Sequence, residues 1–245
     1  MKVAIHQPNY LPWIGYFYKI YLANTFIFLD SVPYSKQGYT NRVQIKKNRY
    51  QDDYGWMTIP VKKRPLGTAI IDMEVDDSTD WFAAHEARLY NAYGKLENYD
   101  RVLGIIKYAL DEANPTSLAE INKILVLHIA NWLYVSTAFE SSSILTEGKS
   151  TRYNIVELIK KVEGTSYISG TGAADYQEEE EYVAADIELQ YANITTYLRS
   201  PEGQKQNPAG ANIGASIIDW MMRYDNTHIL NIFRSAKASL GSTTS

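Results

Sequence analysis

The 245-residue chain can form one large domain or two small ones, and its 45% hydrophobic and 21% charged residues are ordinary for a folded protein. A net charge of −4 argues against a protein built as a general nucleic-acid binder. The lack of cysteine excludes disulfides and thiolate chemistry and fits a reducing, cytoplasmic location. The longest apolar stretch, residues 124–139, is shorter than the roughly 18 residues of a membrane span, so no membrane insertion is expected.

The first thirty residues predict a strand, a helix and a second strand. Residues 2–5 and 25–30 are short apolar runs, and Pro12 fits the first turn of a helix that ends near residue 24. Three apolar residues recur at helical spacing and predict a buried stripe on this helix. They are Trp13, Phe17 and Ile20. A strand, a helix and a strand in this order form a βαβ unit with parallel strands.

The middle of the chain predicts strands followed by helices. The three strand-like segments are residues 42–46, 55–61 and 68–75, and a hairpin is one arrangement for them. The three predicted helices begin near residue 80, with Ser78 or Thr79 as cap, and then cover 100–112 and 117–135. His128 falls on the apolar stripe of the third helix and is therefore predicted to be a core histidine rather than a ligand.

The last hundred residues predict a second α/β segment. The predicted elements are strands at 137–145, 166–170 and 187–194, helices at 151–164 and 215–224, and a loop over 199–216. We therefore expect one α/β domain over residues 1–245, with a Rossmann-like, mainly parallel sheet and a C-terminal helical part. Its parts are a strand-rich segment (1–77), a helical insertion (78–135), a second α/β segment (136–235) and a frayed tail (236–245).

His6 is the first candidate for chemistry, because it directly follows a predicted parallel strand. Ligands of open α/β sheets bind outside the carboxyl ends of the strands, where the N-terminus of the next helix also points. A histidine there can contact phosphate or accept a proton, and the alternative is a histidine that caps a turn. Five neighbours complete this candidate surface as substrate-binding residues. They are Gln7, Asn9, Tyr10, Trp13 and Tyr16.

A basic segment is the second candidate. Between residues 42 and 64 there are seven basic residues and only two acidic ones, Asp52 and Asp53. The basic residues are Arg42, Lys46, Lys47, Arg49, Lys62, Lys63 and Arg64. This asymmetry indicates an anionic ligand, such as a nucleotide diphosphate or RNA phosphates, and the alternative is a solvated loop. Arg42, with Asn41 before it and Lys36 in the same loop, is predicted to bind the substrate.

The segment "SGTG" after a predicted strand is the third candidate, because glycines let the backbone approach a ligand and successive amides can hold an anion. Its predicted substrate-binding residues are Ser169, Gly170, Thr171, Gly172 and Tyr176. The spacing is neither a dinucleotide fingerprint nor a nucleophile elbow, and a structural turn is the alternative. The four histidines show no metal-ligand spacing, so no metal is expected, and His85 can face either the site or the core.

Several segments together resemble the WbqC-like protein family, which is associated with bacterial surface-polysaccharide (O-antigen, lipopolysaccharide) biosynthesis. They are "AIHQPNYLPWIGYFYKI", "FIFLD", "NRVQIK", Trp81 with His85, "SSSIL", "YISGTGAADY" and "SIIDWM". The resemblance implies N-acyl transfer, with glycyl or another aminoacyl group as one case, to an amino sugar carried on dTDP or UDP. His6 or His85 would then be the catalytic base, an acyl donor or charged tRNA the second substrate, and no cofactor is needed.

Two other functions stay open at this point. One is nucleotidyl transfer or adenylate formation, argued only from the fold-level likeness of the opening to nucleotidyltransferases, whose H-x-G-H spacing is not present here. The other is a non-catalytic protein that binds a nucleotide sugar. The high tyrosine content, 20 residues, favours a homodimer as one form of assembly.

Overall fold

A five-stranded parallel sheet forms the centre of the fold. The computed structural model of the chain describes residues 1–147, 155–170 and 178–241. Its strands are β1 (Lys2–His6), β2 (Thr25–Phe28), β3 (Arg42–Lys46), β4 (Tyr54–Thr58), β5 (Ala138–Ser141), β6 (Ser166–Gly170) and β7 (Glu188–Ala192). The sheet has the order β5-β2-β1-β6-β7, while β3 and β4 form a separate antiparallel ribbon.

Helices account for most of the remaining described chain. They are α1 (Ile14–Leu22), α2 (Trp81–Tyr93), α3 (Tyr99–Glu112), α4 (Leu118–Trp132), α5 (Ser142–Leu145), α6 (Ile155–Lys161), α7 (Glu179–Ala184), α8 (Ile194–Arg199), α9 (Pro201–Lys205), α10 (Ile217–Arg223) and α11 (Asn226–Gly241). Helices α2, α3 and α4 lie between β4 and β5 in the chain, where the helical insertion is predicted. None of the helices in the described ranges combines the length and the apolar character needed to cross a bilayer.

The central sheet is apolar on both faces. Along β1, Val3 and Ile5 pack with residues of α6 and α7, whereas Ala4 belongs to the larger core that includes α1, α4 and α11. Successive side chains of a strand point to opposite faces, so a strand that is apolar at every position needs cover on both sides. The predicted Rossmann-like α/β class is therefore confirmed.

The predicted N-terminal βαβ unit is present, with one correction. Strands β1 and β2 are parallel, with Val3 opposite Thr25, and Phe17 and Ile20 of α1 are fully buried. Trp13, however, precedes the helix in an extended conformation and is 37% exposed, so its place in the buried stripe was wrong. The helix begins at Ile14, so Pro12 precedes its first turn as well, and its apolar face begins at Ile14.

Residues 68–75 do not form the predicted strand. A short 3₁₀ turn covers Ile70–Asp72, and single bridges join Ala69 to Pro33, Val75 to Val61 and Glu74 to Ser117. Because these neighbouring residues pair with three different segments, no continuous ladder can form. Alternating apolar residues here bury the segment against several elements rather than against one strand.

Four other predictions also need correction. The strand expected over 137–145 ends at Ser141, because Asp30 binds the start of α5. The loop expected over 199–216 contains α9, which Ser200 caps, and the expected tail continues α11 to Gly241. His128 is half-buried at the surface and bonds the Glu112 carboxylate, so it is not a core residue.

The order of the strands locates the point where a ligand is expected. From β1 the chain first passes to β2 on one side of the sheet, and it later returns to β6 on the other side. Such a reversal leaves a crevice between the carboxyl ends of the two strands, where α/β proteins bind their ligands. In this protein that crevice lies between His6 at the end of β1 and Gly170 at the end of β6.

Candidate functional site

A cavity of about 380 Å³ occupies this crevice. The ends of β1, β6 and β7 form one side of it, and the first turns of α1 with the preceding Trp13 form the other. Its lining residues are Ile5, His6, Trp13, Gly15, Tyr16, Lys19, Tyr167, Ser169, Gly170 and Ala192. The structure thus brings together five predicted site residues that are up to 164 positions apart in the chain, namely His6, Trp13, Tyr16, Ser169 and Gly170.

His6 presents a neutral imidazole to this cavity. Its Nδ1–H donates to the carbonyl oxygen of Gln7, at 3.1 Å, because a carbonyl can only accept. Burial, and then the nearby charge of Lys19, lower the pKa of His6 to about 3 despite that hydrogen bond. The Nε2 atom therefore carries a lone pair at neutral pH and can accept a hydrogen bond from a ligand.

Lys19 is the second titratable group of the cavity, and the sequence interpretation missed it. The residue is only 4% exposed, and its ammonium group donates to the Ile5 carbonyl oxygen at 2.7 Å. Within the described ranges, no carboxylate forms an ion pair with it. Burial lowers its pKa to about 7, so a large fraction of this amine is unprotonated at neutral pH.

Trp13 and Tyr16 form the aromatic wall of the cavity. The Tyr16 ring lies against the His6 ring with centroids 4.8 Å apart, and its hydroxyl donates to the Gln7 carbonyl oxygen. The Trp13 ring covers Gly15, since a Cβ atom at Gly15 would come within 2.2 Å of it. The absence of a side chain at residue 15 therefore lets the indole lie on the first turn of α1.

Substituting Gly15 tests this contact. We expect Gly15→Ala to displace the Trp13 ring and thereby change the tryptophan emission of the protein. In a Trp13→Phe background, the same substitution should leave the tryptophan emission unchanged. Gly104→Ala is the matched control, because Gly104 is also helical and an added Cβ would meet no atom within 4 Å. The control Gly104→Ala should raise the free energy of unfolding by up to about 1 kcal/mol. Gly15→Ala should raise the free energy of unfolding by less, because displacing the Trp13 ring costs energy. Equal gains and unchanged emission would contradict the contact.

The β6 side of the cavity is formed by the end of that strand. Ser169 and Gly170 line it, and no atom of the described residues lies within 4 Å of a Cβ built on Gly170. A ligand group can therefore approach the backbone closely at this point. Thr171, Gly172 and Tyr176 lie outside the described residues.

Tyr10 and His85 form a separate buried contact. His85 Nε2–H donates to the Thr58 carbonyl oxygen, so its Nδ1 accepts from the Tyr10 hydroxyl, both at 3.0 Å. Burial lowers the pKa of His85 to about 4, and the residue is only 6% exposed. With both nitrogens engaged and no place among the cavity-lining residues, His85 acts here as a link between α2, β4 and the loop after β1.

The other predicted substrate-binding residues also lie away from the cavity. Asn41 donates to the Ile59 carbonyl oxygen, and Arg42 donates to the carbonyl oxygens of Gln37 and Gly38. Lys36 is exposed in the preceding loop. Asn9 is buried, and its side-chain oxygen has no hydrogen-bond partner in the described part of the chain.

A signal for Lys19 was present in the sequence. Lys19 is the only charged residue of α1, "IGYFYKIYL", and it follows Gly15 by four positions and Tyr16 by three. Residues at these spacings share a face of a helix, so Lys19 had to lie beside the residues nearest to His6. A lysine is rarely fully buried, however, so the residue type alone does not indicate a cavity position. No group of three potential metal ligands occurs among the residues that the structure describes.

Comparison with known proteins agrees with the motif resemblance. The model of the WbqC-like protein family matches residues 7–229. The chain is 30% identical over 220 residues to the "Uncharacterized protein Rv1507c" of Mycobacterium tuberculosis (strain ATCC 25618 / H37Rv), which covers 89% of this chain and 91% of that protein. No solved structure matches the chain significantly. Because the family match covers nearly the whole length, the chain belongs to the WbqC-like protein family.

Proposed function

We propose that the protein transfers an acyl group, with an aminoacyl group such as glycyl as one case, to the amine of a sugar carried on dTDP or UDP. The observation that carries this proposal is the buried amine of Lys19 beside the neutral imidazole of His6 in the crevice cavity. The family's association with surface-polysaccharide biosynthesis supports the choice of a nucleotide-linked amino sugar. The cytoplasm, where such activated sugars are made, is the proposed location.

Lys19 is the proposed base. An amino sugar enters as an ammonium ion, which is not nucleophilic until it loses a proton. The unprotonated Lys19 amine accepts that proton, and the freed sugar nitrogen attacks the acyl carbon of the donor. The bond from that carbon to the donor's oxygen or sulfur then breaks, the attached nitrogen releases its second proton to water, and the Lys19 ammonium returns the first proton to the leaving group. A base whose pKa lies near the working pH suits both transfers.

His6 has a different proposed role from the one expected from the sequence. With a pKa of about 3, its imidazole is too weak a base to take a proton from an ammonium ion. Its Nε2 lone pair can instead accept a hydrogen bond from the sugar amine or a hydroxyl and orient it. Among the described residues nothing fills the space beside Gly170, which can take the acyl group, and the exposed Trp13 ring can stack with a sugar or base.

Product formation tests the proposal directly. The full-length protein is incubated with dTDP- and UDP-linked amino sugars and, in separate reactions, an acyl thioester or aminoacyl-tRNA. We expect a nucleotide sugar whose mass has increased by one acyl group and whose new bond resists alkaline hydroxylamine, as an amide does and an oxygen ester does not. Transfer with only one donor class would identify the donor.

Two outcomes would contradict the proposed transfer. A nucleotide sugar that raises the melting temperature but yields no product with any donor would indicate a non-catalytic binding protein. Exchange of labelled pyrophosphate into ATP, dependent on a carboxylate substrate, would indicate an adenylate-forming enzyme.

A further inference from the structure

Three arginines on and beside the β3–β4 ribbon have no acidic partner among the described residues. Arg42 donates to the carbonyl oxygens of Gln37 and Gly38, Arg88 to that of Trp56, and Arg49 to those of Tyr90 and Asn91. Within the residues that the structure describes, none of the three forms an ion pair with a carboxylate. Backbone carbonyls thus hold the three guanidinium groups in place, with no carboxylate paired to them in the described part of the chain.

Exposed aromatic rings accompany these arginines. The Arg42 guanidinium lies 4.3 Å from the Trp56 ring centroid, and Tyr39 lies 5.5 Å from the same ring. The Arg49 guanidinium lies within 6 Å of the Tyr50 and Tyr90 ring centroids. The exposed fractions of these four residues are 38% for Trp56, 51% for Tyr39, 87% for Tyr50 and 49% for Tyr90. We call these arginines and rings together the arginine–aromatic strip.

The ribbon is a rigid support for the strip. Its inner side chains, among them Val43, Ile45 and Met57, are buried in the core, whereas Trp56 projects to solvent. The Gln44 carbonyl oxygen accepts from the amide of Ser216, and Ser216 pairs with Trp13 on the cavity wall. The segment around Ser216 therefore joins the ribbon to the cavity wall.

The chemistry of the strip selects a single-stranded nucleic acid. Fixed arginines can neutralise phosphates, while exposed rings stack with unpaired bases, and these two elements together characterise surfaces that bind single strands. The positive charge is local, since the whole chain carries −4, so the strip is not part of a generally basic surface. A duplex would offer phosphates but no free base faces to the rings.

We propose that the arginine–aromatic strip binds a single-stranded end of an RNA and holds it along the ribbon, next to the cavity. The inference rests on the proposed function for its biological role, because an RNA bound here would carry the aminoacyl donor towards Lys19. Binding itself requires no transfer and is measured without it.

The test is fluorescence anisotropy of the full-length protein with a labelled single-stranded RNA of about twelve nucleotides, at several salt concentrations. We expect Trp56→Ala and Tyr50→Ala each to weaken binding about tenfold with an unchanged salt dependence, because they remove stacking. Arg42→Gln and Arg49→Gln should instead lower the slope of log K against log salt by about 0.7 each, which is the loss of one phosphate contact.

Matched variants elsewhere on the surface are the controls. Tyr108→Ala removes a ring that is 67% exposed on α3, and Lys160→Gln removes an exposed charge on α6, and neither should change binding. Lys19→Met should bind the RNA as the wild type does, so that failure of the transfer reaction and failure of RNA binding remain distinguishable.

Three results would overturn the inference. Binding could respond to the arginine variants but not to the ring variants, with heparin bound as tightly as the RNA. This result would show a surface that binds any polyanion. Competition by free UMP as strong as that of the RNA strand would show a mononucleotide site. An effect confined to Trp56 and Arg42, with none at Tyr50 and Arg49, would contradict the path along the ribbon.

Discussion

Lys19→Met is expected to reduce acyl transfer by a factor of about 10² to 10⁴ while the fold remains intact, because the variant removes the proposed base. Methionine has a similar length and no charge, so it fits the buried position without the cost of desolvating an ammonium group. The measurement is kcat/KM for the nucleotide sugar, with product quantified by mass. Lys160→Met, which changes an exposed lysine of α6, is the matched control and should retain full activity.

The pH profile separates a base from a purely structural lysine. In the wild type, kcat/KM should rise as the pH increases through about 7, because Lys19 loses its proton there. Lys19→Arg keeps a positive charge that is not lost in this range, so its residual rate should lack this rise. A Lys19→Met protein that transferred at the wild-type rate, with the same rise, would contradict the assignment.

The stability of the protein provides a second readout for Lys19 that needs no substrate. Its pKa is about 7 in the folded protein and near 10.5 in the unfolded chain, so the unfolded chain binds more protons between these values. The free energy of unfolding should therefore rise with pH over this window, and below about pH 7 the full penalty of the buried charge is present. Lys19→Met should abolish this contribution and be at least as stable as the wild type at neutral pH.

Asp30→Ala is expected to lower the free energy of unfolding by about 3–5 kcal/mol, because it leaves the partly buried Lys123 ammonium unpaired. Asp30 is fully buried at the end of β2. One carboxylate oxygen accepts from Lys123 at 2.5 Å and from the Ser143 hydroxyl, and the other from the Ser142 hydroxyl and the Ser143 amide. The carboxylate thereby joins β2 to α4 and to the start of α5.

Urea denaturation of matched variants measures this effect. Asp77→Ala, which removes an exposed carboxylate, is the control and should change stability by no more than about 0.5 kcal/mol. Burial raises the pKa of Asp30, but the interactions with Lys123 and Ser143 lower it by more. The pKa of Asp30 in the folded protein is therefore below 3.8, the ordinary value of an aspartate. The stabilisation by the Asp30 carboxylate is therefore fully present above the ordinary aspartate pKa of 3.8, and it is lost as the pH falls through the folded-state pKa. An Asp30→Ala protein as stable as the control variant would show that the contacts contribute little.

Much of the fold followed from local patterns. The N-terminal βαβ unit, strands β3 and β6, and helices α3 and α4 lie close to their predicted bounds, because each has a regular apolar periodicity and a clear start or stop signal. The segment 68–75 has the same alternation without being a strand, since its pairing partners come from three distant parts of the chain. Local sequence carries no information about those partners.

The candidate site, like the fold, could be predicted from the sequence only in part. By itself, the sequence determined that the chain has the WbqC-like motifs, and that His6 and Ser169–Gly170 each lie at the carboxyl end of a strand, where a ligand can bind. Only the tertiary structure decided that these two ends adjoin, that Lys19 is buried beside them, and that His85 and Arg42 lie elsewhere. The physical reason is that burial and long-range proximity, which shift the pKa values of Lys19 and His6, arise only when β1, β6 and α1 pack together.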